Sequence, residues 1–535
     1  MFRQLVTPVA DNLPLSFLLA TLPIMTVLLL LGVVRRPAWQ ASLAGVAVAL
    51  LLAVTVWRLP VGMALNSLAA GATFAAWPVM WIVLNALLLY NVAVASGSFA
   101  AFSDWMVRHL PNDRRVALIV IGFSFGCLLE GVAGFGTPIA ITSALLITLG
   151  FPAVEAIVFT LMFNTAPVAF GALGSPIITL GAVTQLPDVA LGAMVGRQLP
   201  IIALLLPFYV IAVYGGVRAI RGVWPVLLVA GGSFASMQFL SSNFLGYALT
   251  DVLSSLASLI CTLLFVKLWR FAPDPAFALR NVAPDQAPAP APASNGLKGW
   301  LPWIVLSVTV ILWVHLKVNA IGETKLEWPG LHNAIFITTY GKAYAAIWSF
   351  QPLATGTAIL VATVITALLV RLSPAQLAAA AKRTLRQIRL PLATTMTIVG
   401  LAYLMNYSGM AYTLGVGVAS VGPLFPLLSA FLGWLAVFLS GSDTSGNALF
   451  GNLQVVAARQ LDLNPVLMAA TNASGGVLGK MISPQNIATG TSTTDCRGQE
   501  GAILARTFKH SVFLTLVLGV IVMIQQHLLP WMIPS

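Results

Sequence analysis

Three charged residues stand where an apolar chain can least accommodate them. Glu130, Asp443 and Lys480 each lie within or beside a long hydrophobic stretch. Glu130 opens Glu130-Gly131-Val132-Ala133-Gly134-Phe135-Gly136-Thr137-Pro138, and Asp443 sits in Ser440-Gly441-Ser442-Asp443-Thr444-Ser445-Gly446-Asn447. Gly131, Gly134, Gly136, Pro138 and Gly441 mark helix breaks, because glycine and proline do not sustain a helix. Backbone groups freed at membrane depth must line a cavity or be covered by protein. An acid at such a break is costly to keep ionised, which makes Glu130 and Asp443 candidate proton carriers. The plainer alternative is a carboxylate that pairs with a nearby base or with backbone amides and stabilises the turn.

A second pair of breaks runs from Asn164-Thr165-Ala166-Pro167 to Gly174-Ser175-Pro176, and from Asn472 through Gly475-Gly476 to Lys480-Met481-Ile482-Ser483-Pro484-Gln485-Asn486. Broken helices expose half-helix N-termini, whose amides and dipole favour an anion. Asn164, Thr165, Ser175, Ser442, Thr444, Ser445, Asn447, Asn472 and Ser483 add neutral donors and acceptors suited to a carboxylate and a hydroxyl. They serve equally to satisfy the freed backbone. Lys480 has a substrate carboxylate, Asp443 or Glu130 as partner, unless it snorkels to the inner surface.

The elements that must hold these residues are membrane helices. The chain has 535 residues, 59% hydrophobic and 8% charged, against about 25% charged in a soluble domain. Mean hydropathy is +0.93. Apolar runs of about 20 residues match a ~30 Å hydrocarbon core. Spans are expected over roughly 14–34, 42–57, 77–95, 152–184 (interrupted), 199–217, 223–243, 246–268, 299–315, 354–371, 389–406, 464–482 (interrupted) and 510–530. The stretches 114–150 and 422–460 exceed one crossing and break in the middle, so each reads as a re-entrant helical hairpin. The Pro/Ala-rich segment 271–298 reads as a flexible linker, and 316–352 as an external loop. The net charge of +12 sits in short loops beside apolar runs, as cytoplasmic loops require, and not on a nucleic-acid-binding module. Cys127, Cys261 and Cys496 form no disulfide or zinc pattern, the five histidines show no metal spacing, and no Walker loop or nucleophile elbow is present. No cofactor, metal or enzyme chemistry is expected.

The chain also repeats. At a shift of 313 residues Arg58-Leu59 falls on Arg371-Leu372 and Pro78 on Pro391; at 312, Ser96-Gly97 falls on Ser408-Gly409 and Glu130 on Ser442, beside Asp443. At 308, Asn164, Gly171 and Ser175-Pro176 fall on Asn472, Gly479 and Ser483-Pro484; at 309, Gly192 and Arg197 fall on Gly501 and Arg506. The organisation is an N-terminal span (1–41), one repeat (42–218), connecting helices (219–354) and a second repeat (355–535). Basic residues fill 372–389 but are absent from the equivalent 59–77, and the bias reverses in the next loop. Equivalent loops therefore face opposite sides, which makes the repeats inverted and places both termini outside. Inverted repeats with broken helices are the architecture of secondary carriers, whose sites lie near the midplane. The fold class is all-α and polytopic, with about 12 spans and two re-entrant hairpins.

On these residues the sequence resembles the bacterial L-lactate permease family, which includes the glycolate permease. The strings that carry the likeness include SFGCLLEGVAGFGTPIAIT (124–142), NTAPVAFGALGSPI (164–177), VGRQLP (195–200), VAGGSFASMQFLSSNFLG (229–246), NYSGM (406–410), GWLAVFLSGSDTSGNALFGNLQ (433–454) and NASGGVLGKMISPQNIA (472–488). They run over almost the whole chain and thin at 271–298 and 316–352. The resemblance implies a proton symporter of the bacterial inner membrane that takes up L-lactate, D-lactate or glycolate, with an elevator-like architecture. Its partners would be the substrate, protons and the lipid bilayer, and association of identical copies stays open. Two other readings compete. One is sodium-coupled carboxylate uptake, with Asp443, Thr444 and Asn447 around a hard cation. The other is a channel or membrane sensor, which the breaks at the repeat interface disfavour.

Overall fold

The computed structural model describes residues 1–535 except 135, 270–273, 280–295, 493, 495 and 535. Most of the 271–298 linker therefore lies outside the described residues. Among these residues eleven helices are long and apolar enough to cross a membrane, and the pair Ala153–Phe163 and Val168–Thr184, bent by 65°, is so only when taken together. The chain is a multi-pass membrane protein.

Both long stretches are pairs of helices. The first holds Arg114–Val132 and Thr137–Thr148, parted by a turn in which Gly134 (φ +51) and Gly136 (φ +82) take left-handed backbone. The second holds Phe425–Ser440 and Asp443–Gln460, parted at Gly441 (φ +71). Prolines follow the breaks, as the fixed φ of a first helical turn allows. Pro138 stands in the first turn of Thr137–Thr148, and Pro484 opens Pro484–Ser492.

Two of the residue pairs matched in the sequence also share backbone conformation. Arg58 and Arg371 are both left-handed (φ +58 and +56), and Gly97 and Gly409 both cap a helix with positive φ (+75 and +104).

Several boundaries differ from the sequence expectation. The segments 59–77 and 372–389 are not loops: helices Val61–Phe74 and Pro374–Ser408 occupy them. The second helix starts where Ser373 and Gln376 form a reciprocal capping box. Its basic first half is polar enough to end the apolar run without ending the helix. The break expected within 464–482 is displaced. Pro465–Lys480 is one helix, and the chain turns only at Met481–Ser483. Gly475 and Gly476 therefore break nothing. They permit close approach, since a Cβ at Gly475 would stand 2.1 Å from the Ala430 carbonyl oxygen and one at Gly476 would stand 2.2 Å from Asp443 Oδ1. Gly131 likewise lies inside helix Gly126–Val132, against Asp251.

The segment 316–352 carries structure of its own. Thr324–Glu327 pairs antiparallel with Ile347–Phe350, and Ile335–Ile337 pairs with Lys342–Ala343. The N-terminal strand Phe2–Arg3 joins Ile335–Ile337 in parallel, so the first residues lie with this segment.

Candidate functional site

A cavity of about 130 Å³ lies where the four breaks meet. Its walls include Glu130, Gly134 and Gly136 from the first hairpin and Gly441, Ser442, Asp443 and Thr444 from the second. Gly171, Ser175 and Pro176 come from the first broken helix, and Lys480, Gln485, Asn486 and Thr489 from the second. Local conformation explains the convergence. Ala172, Leu173 and Gly174 all have positive φ (+44, +56 and +81), which turns the chain before Ser175-Pro176. Ser442 caps Asp443–Gln460 by accepting the Ser445 N–H at 3.4 Å, which sets Asp443 in the first turn. Three helices, Thr137–Thr148, Asp443–Gln460 and Pro484–Ser492, start at or beside the cavity wall. Helix N-termini favour an anion.

The ionised pair at the centre is Lys480 and Glu130. Lys480 Nζ donates to Glu130 Oε1 at 2.6 Å, and Asn164 Nδ2 donates to Oε2 at 2.9 Å. Glu130 is 3% exposed and Lys480 6%. Lys480 therefore does not snorkel. Its residue separation of 350 from Glu130 makes this pair a product of the fold alone.

Asp443 is differently placed. Oδ2 receives Asn447 Nδ2 at 3.3 Å, while Oδ1 is buried without a hydrogen-bond partner. Behind it runs an amide network: Asn472 Nδ2 donates to Asn447 Oδ1 (2.9 Å), and Gln454 Nε2 donates to Asn472 Oδ1 (2.8 Å). Asn447 Nδ2 also reaches the Pro176 carbonyl at 3.2 Å, tying the second hairpin to the first broken helix. Ser175 and Thr444 hydroxyls face each other at 3.5 Å across the same seam.

The other expected residues are buried but stand back from the wall. Thr165 Oγ1 donates to the Met162 carbonyl at 2.7 Å, as a helix-end residue does. Asn164, Ser445, Asn447, Asn472 and Ser483 support the wall, and Ser483 Oγ is buried without a partner. Pro167 lies in the turn that follows Ala153–Phe163.

Gln485 and Asn486 close the break expected after Asn472 but were not among the expected site residues, and sequence reasoning missed Thr489 and Pro391, the latter signalled only by its match to Pro78. It also missed Asp251, 1% exposed, which carries no glycine or proline break and lies outside both expected repeats. A larger cavity of about 720 Å³ lies elsewhere, between the 316–352 segment and helix ends, lined by Lys325, Trp328, Tyr344, Trp348, Tyr403 and Tyr407. Neither cavity holds a cluster suited to a metal, and none is found among the described residues.

The family described as L-lactate permease matches residues 16–529. The L-lactate permease of Bacillus subtilis (strain 168) is 40% identical over 564 residues, with all of both chains covered. The glycolate permease GlcA of Escherichia coli (strain K12) is 37% identical over 549 residues, covering 98% of each chain. Among solved structures, MtrF of Neisseria gonorrhoeae, described as illuminating a class of antimetabolite efflux pumps, superposes with a TM-score of 0.50 at 12% identity, over 95% of this chain and 98% of that one. That likeness concerns the fold. The sequence match, end to end at this identity, shows that the chain belongs to the L-lactate permease family and is a transporter, not an enzyme.

Proposed function

We propose that the chain takes up L-lactate and related short 2-hydroxy monocarboxylates by electroneutral proton symport, and that the cavity of about 130 Å³ is the substrate site. The observation that carries this reading is the buried Lys480–Glu130 pair in its wall. The names of the relatives, L-lactate permease and glycolate permease, support the substrate class. Size supports it too. At ~30 Å³ per liquid water, the cavity holds about four waters' worth of volume, enough for a few heavy atoms and well short of the ~300 Å³ of a drug-sized pocket.

The charge balance gives the coupling. In the empty carrier Lys480 and Glu130 neutralise each other. A substrate carboxylate that takes Lys480 leaves Glu130 as an uncompensated buried anion, which costs about 3–5 kcal/mol. A proton on Glu130 removes that charge. The neutral states are then two: empty with the ion pair, or loaded with both anion and proton. Binding of the anion alone is penalised, which is the thermodynamic content of symport. Asp443 acts in this account as a neutral carboxylic acid in the cavity wall, with Oδ1 packed against Gly476, and Ser175 and Thr444 engage the substrate hydroxyl.

Inverted repeats with alternating access fit the shared left-handed positions at 58/371 and 97/409. A bacterial inner-membrane location with both termini outside fits the positive-inside count and the pairing of the N-terminal strand with the external segment. The test is uptake of labelled L-lactate into proteoliposomes under an imposed inward proton gradient, with glycolate and D-lactate as competitors. The account expects accumulation reduced by both competitors. Absence of accumulation in sodium-free medium with its restoration by sodium would transfer the coupling to the cation.

A further inference from the structure

Helix Thr250–Leu268 lies against the first hairpin and takes no part in the cavity wall. Near its start Asp251 is buried, and neither of its carboxyl oxygens has a hydrogen-bond partner. It touches the hairpin beside Glu130: a Cβ at Gly131 would stand 2.8 Å from Asp251 Cβ. The charged groups that act on it are Glu130 and Lys480, already paired with each other, and Cys127 is the titratable thiol on the same hairpin helix. Tyr247, just before the helix, is engaged by Asp188 at 2.6 Å. An ionised Asp251 would therefore be a buried charge with no counter-ion and no donor, so it rests as the neutral acid.

From Asp251 a line of buried hydroxyls runs down one face of the helix: Ser255, Ser258 and Thr262, spaced four, three and four residues apart. At 100° per residue these four side chains share one narrow face, covering ~16 Å along the axis. Ser255 Oγ and Thr262 Oγ1 are buried without partners, while Ser258 Oγ donates to the Ala230 carbonyl at 3.0 Å and meets Ser124 Oγ at 2.8 Å. Lys267 follows at the far end, which the positive-inside rule places at the inner surface.

We propose that Asp251, Ser255, Ser258 and Thr262 form a proton exit path, separate from the substrate cavity, that carries the coupling proton from Glu130 to the inner surface. This rests on the proton-symport reading above. When substrate leaves inward and Lys480 returns to Glu130, the Glu130 O–H bond breaks and its proton passes through a bridging water to one oxygen of Asp251. Asp251 gives its own proton from the other oxygen to a water beside Ser255, since no direct hydrogen bond joins the two. Waters seated on the unpartnered hydroxyls then each accept one proton and hand one on, and a water at the inner end takes the last. One proton leaves Glu130, one reaches water, and Asp251 ends as the neutral acid it began.

The test separates two activities of the purified full-length protein in proteoliposomes. Exchange of labelled for unlabelled L-lactate keeps the proton on the carrier throughout, whereas net uptake requires its release. Asp251→Asn is expected to slow proton-driven net uptake at least tenfold and to leave exchange within twofold of the parent. The double substitution Ser255→Ala with Thr262→Val, which removes only two small hydroxyl functions, is expected to slow net uptake severalfold with exchange intact. Net uptake at the parental rate in either folded variant would overturn the path, as would equal loss of exchange and uptake. Should Asp251→Asn not fold, the double variant decides alone. Failure of the parent itself to show proton-driven uptake would instead refute the symport reading.

Discussion

Glutamine at position 130 keeps the shape of the side chain and removes its ability to ionise. In the loaded carrier this mimics protonated Glu130, so substrate anion binds Lys480 without a proton. In the empty carrier it leaves Lys480, 6% exposed, as an unpaired buried cation. Stranding one partner of a buried pair costs about 3–5 kcal/mol, and each 1.4 kcal/mol is a factor of about ten. Return of the empty carrier should then slow by about two to three and a half orders of magnitude. The assay is the pair of activities named above. For Glu130→Gln the expectation is robust lactate exchange, a substrate affinity that no longer varies with pH, and net accumulation near background. Parental accumulation that still collapses with a protonophore would refute the reasoning, because no ionisable group would then remain at the position assigned to the coupling proton.

Other outcomes follow from the same geometry. Lys480→Ala removes the cation that receives the substrate carboxylate. A charge-assisted hydrogen bond contributes about 1.5–3 kcal/mol, so the KM for lactate should rise about 10- to 100-fold in initial-rate measurements; an unchanged KM would place the carboxylate elsewhere. Asp443→Asn should keep proton-driven accumulation and move KM by less than about tenfold, since an amide still donates; lost accumulation with exchange intact would hand the coupling to Asp443. Gly475→Ala drives a methyl group towards the Ala430 carbonyl, 2.1 Å away, and should destabilise the protein by about 1–3 kcal/mol. A lowered thermal midpoint in detergent checks this, with Gly62→Ala, which meets nothing within 4 Å, as the substitution that should not lower it.

The membrane helices were legible because a bilayer demands apolar runs of fixed length, and the breaks were legible where glycine or proline coincided with an acid or amide. Gly134, Gly136 and Gly441 fell where expected, with positive φ. Gly475 and Gly476 did not, because glycine serves two physical ends: it ends a helix, or it lets two helices touch. Sequence alone does not separate these, whereas Ala430 at 2.1 Å does. The helical parts of 59–77 and 372–389 were lost for a related reason. Hydropathy marks where lipid contact stops, while a capped amphipathic helix such as Pro374–Ser408 continues into the polar region. The acids of the hairpin tips were visible one by one, yet the Lys480–Glu130 pair joins residues 350 apart, and no local pattern announces it. Asp251 was hidden by its setting. An acid in the first turn of a helix is ordinary, since the dipole favours it, and only burial against the Gly131 hairpin distinguishes this one.

The most direct test of electroneutral proton symport records pH and labelled substrate together. L-lactate is added to unbuffered, sodium-free proteoliposomes, with the membrane potential clamped at several values by potassium and valinomycin. The account predicts that the medium turns alkaline as lactate enters, that protons and lactate disappear in equal amounts, and that the rate does not depend on the clamp. Lactate entry without alkalinisation, or at a rate that follows the membrane potential, would contradict it.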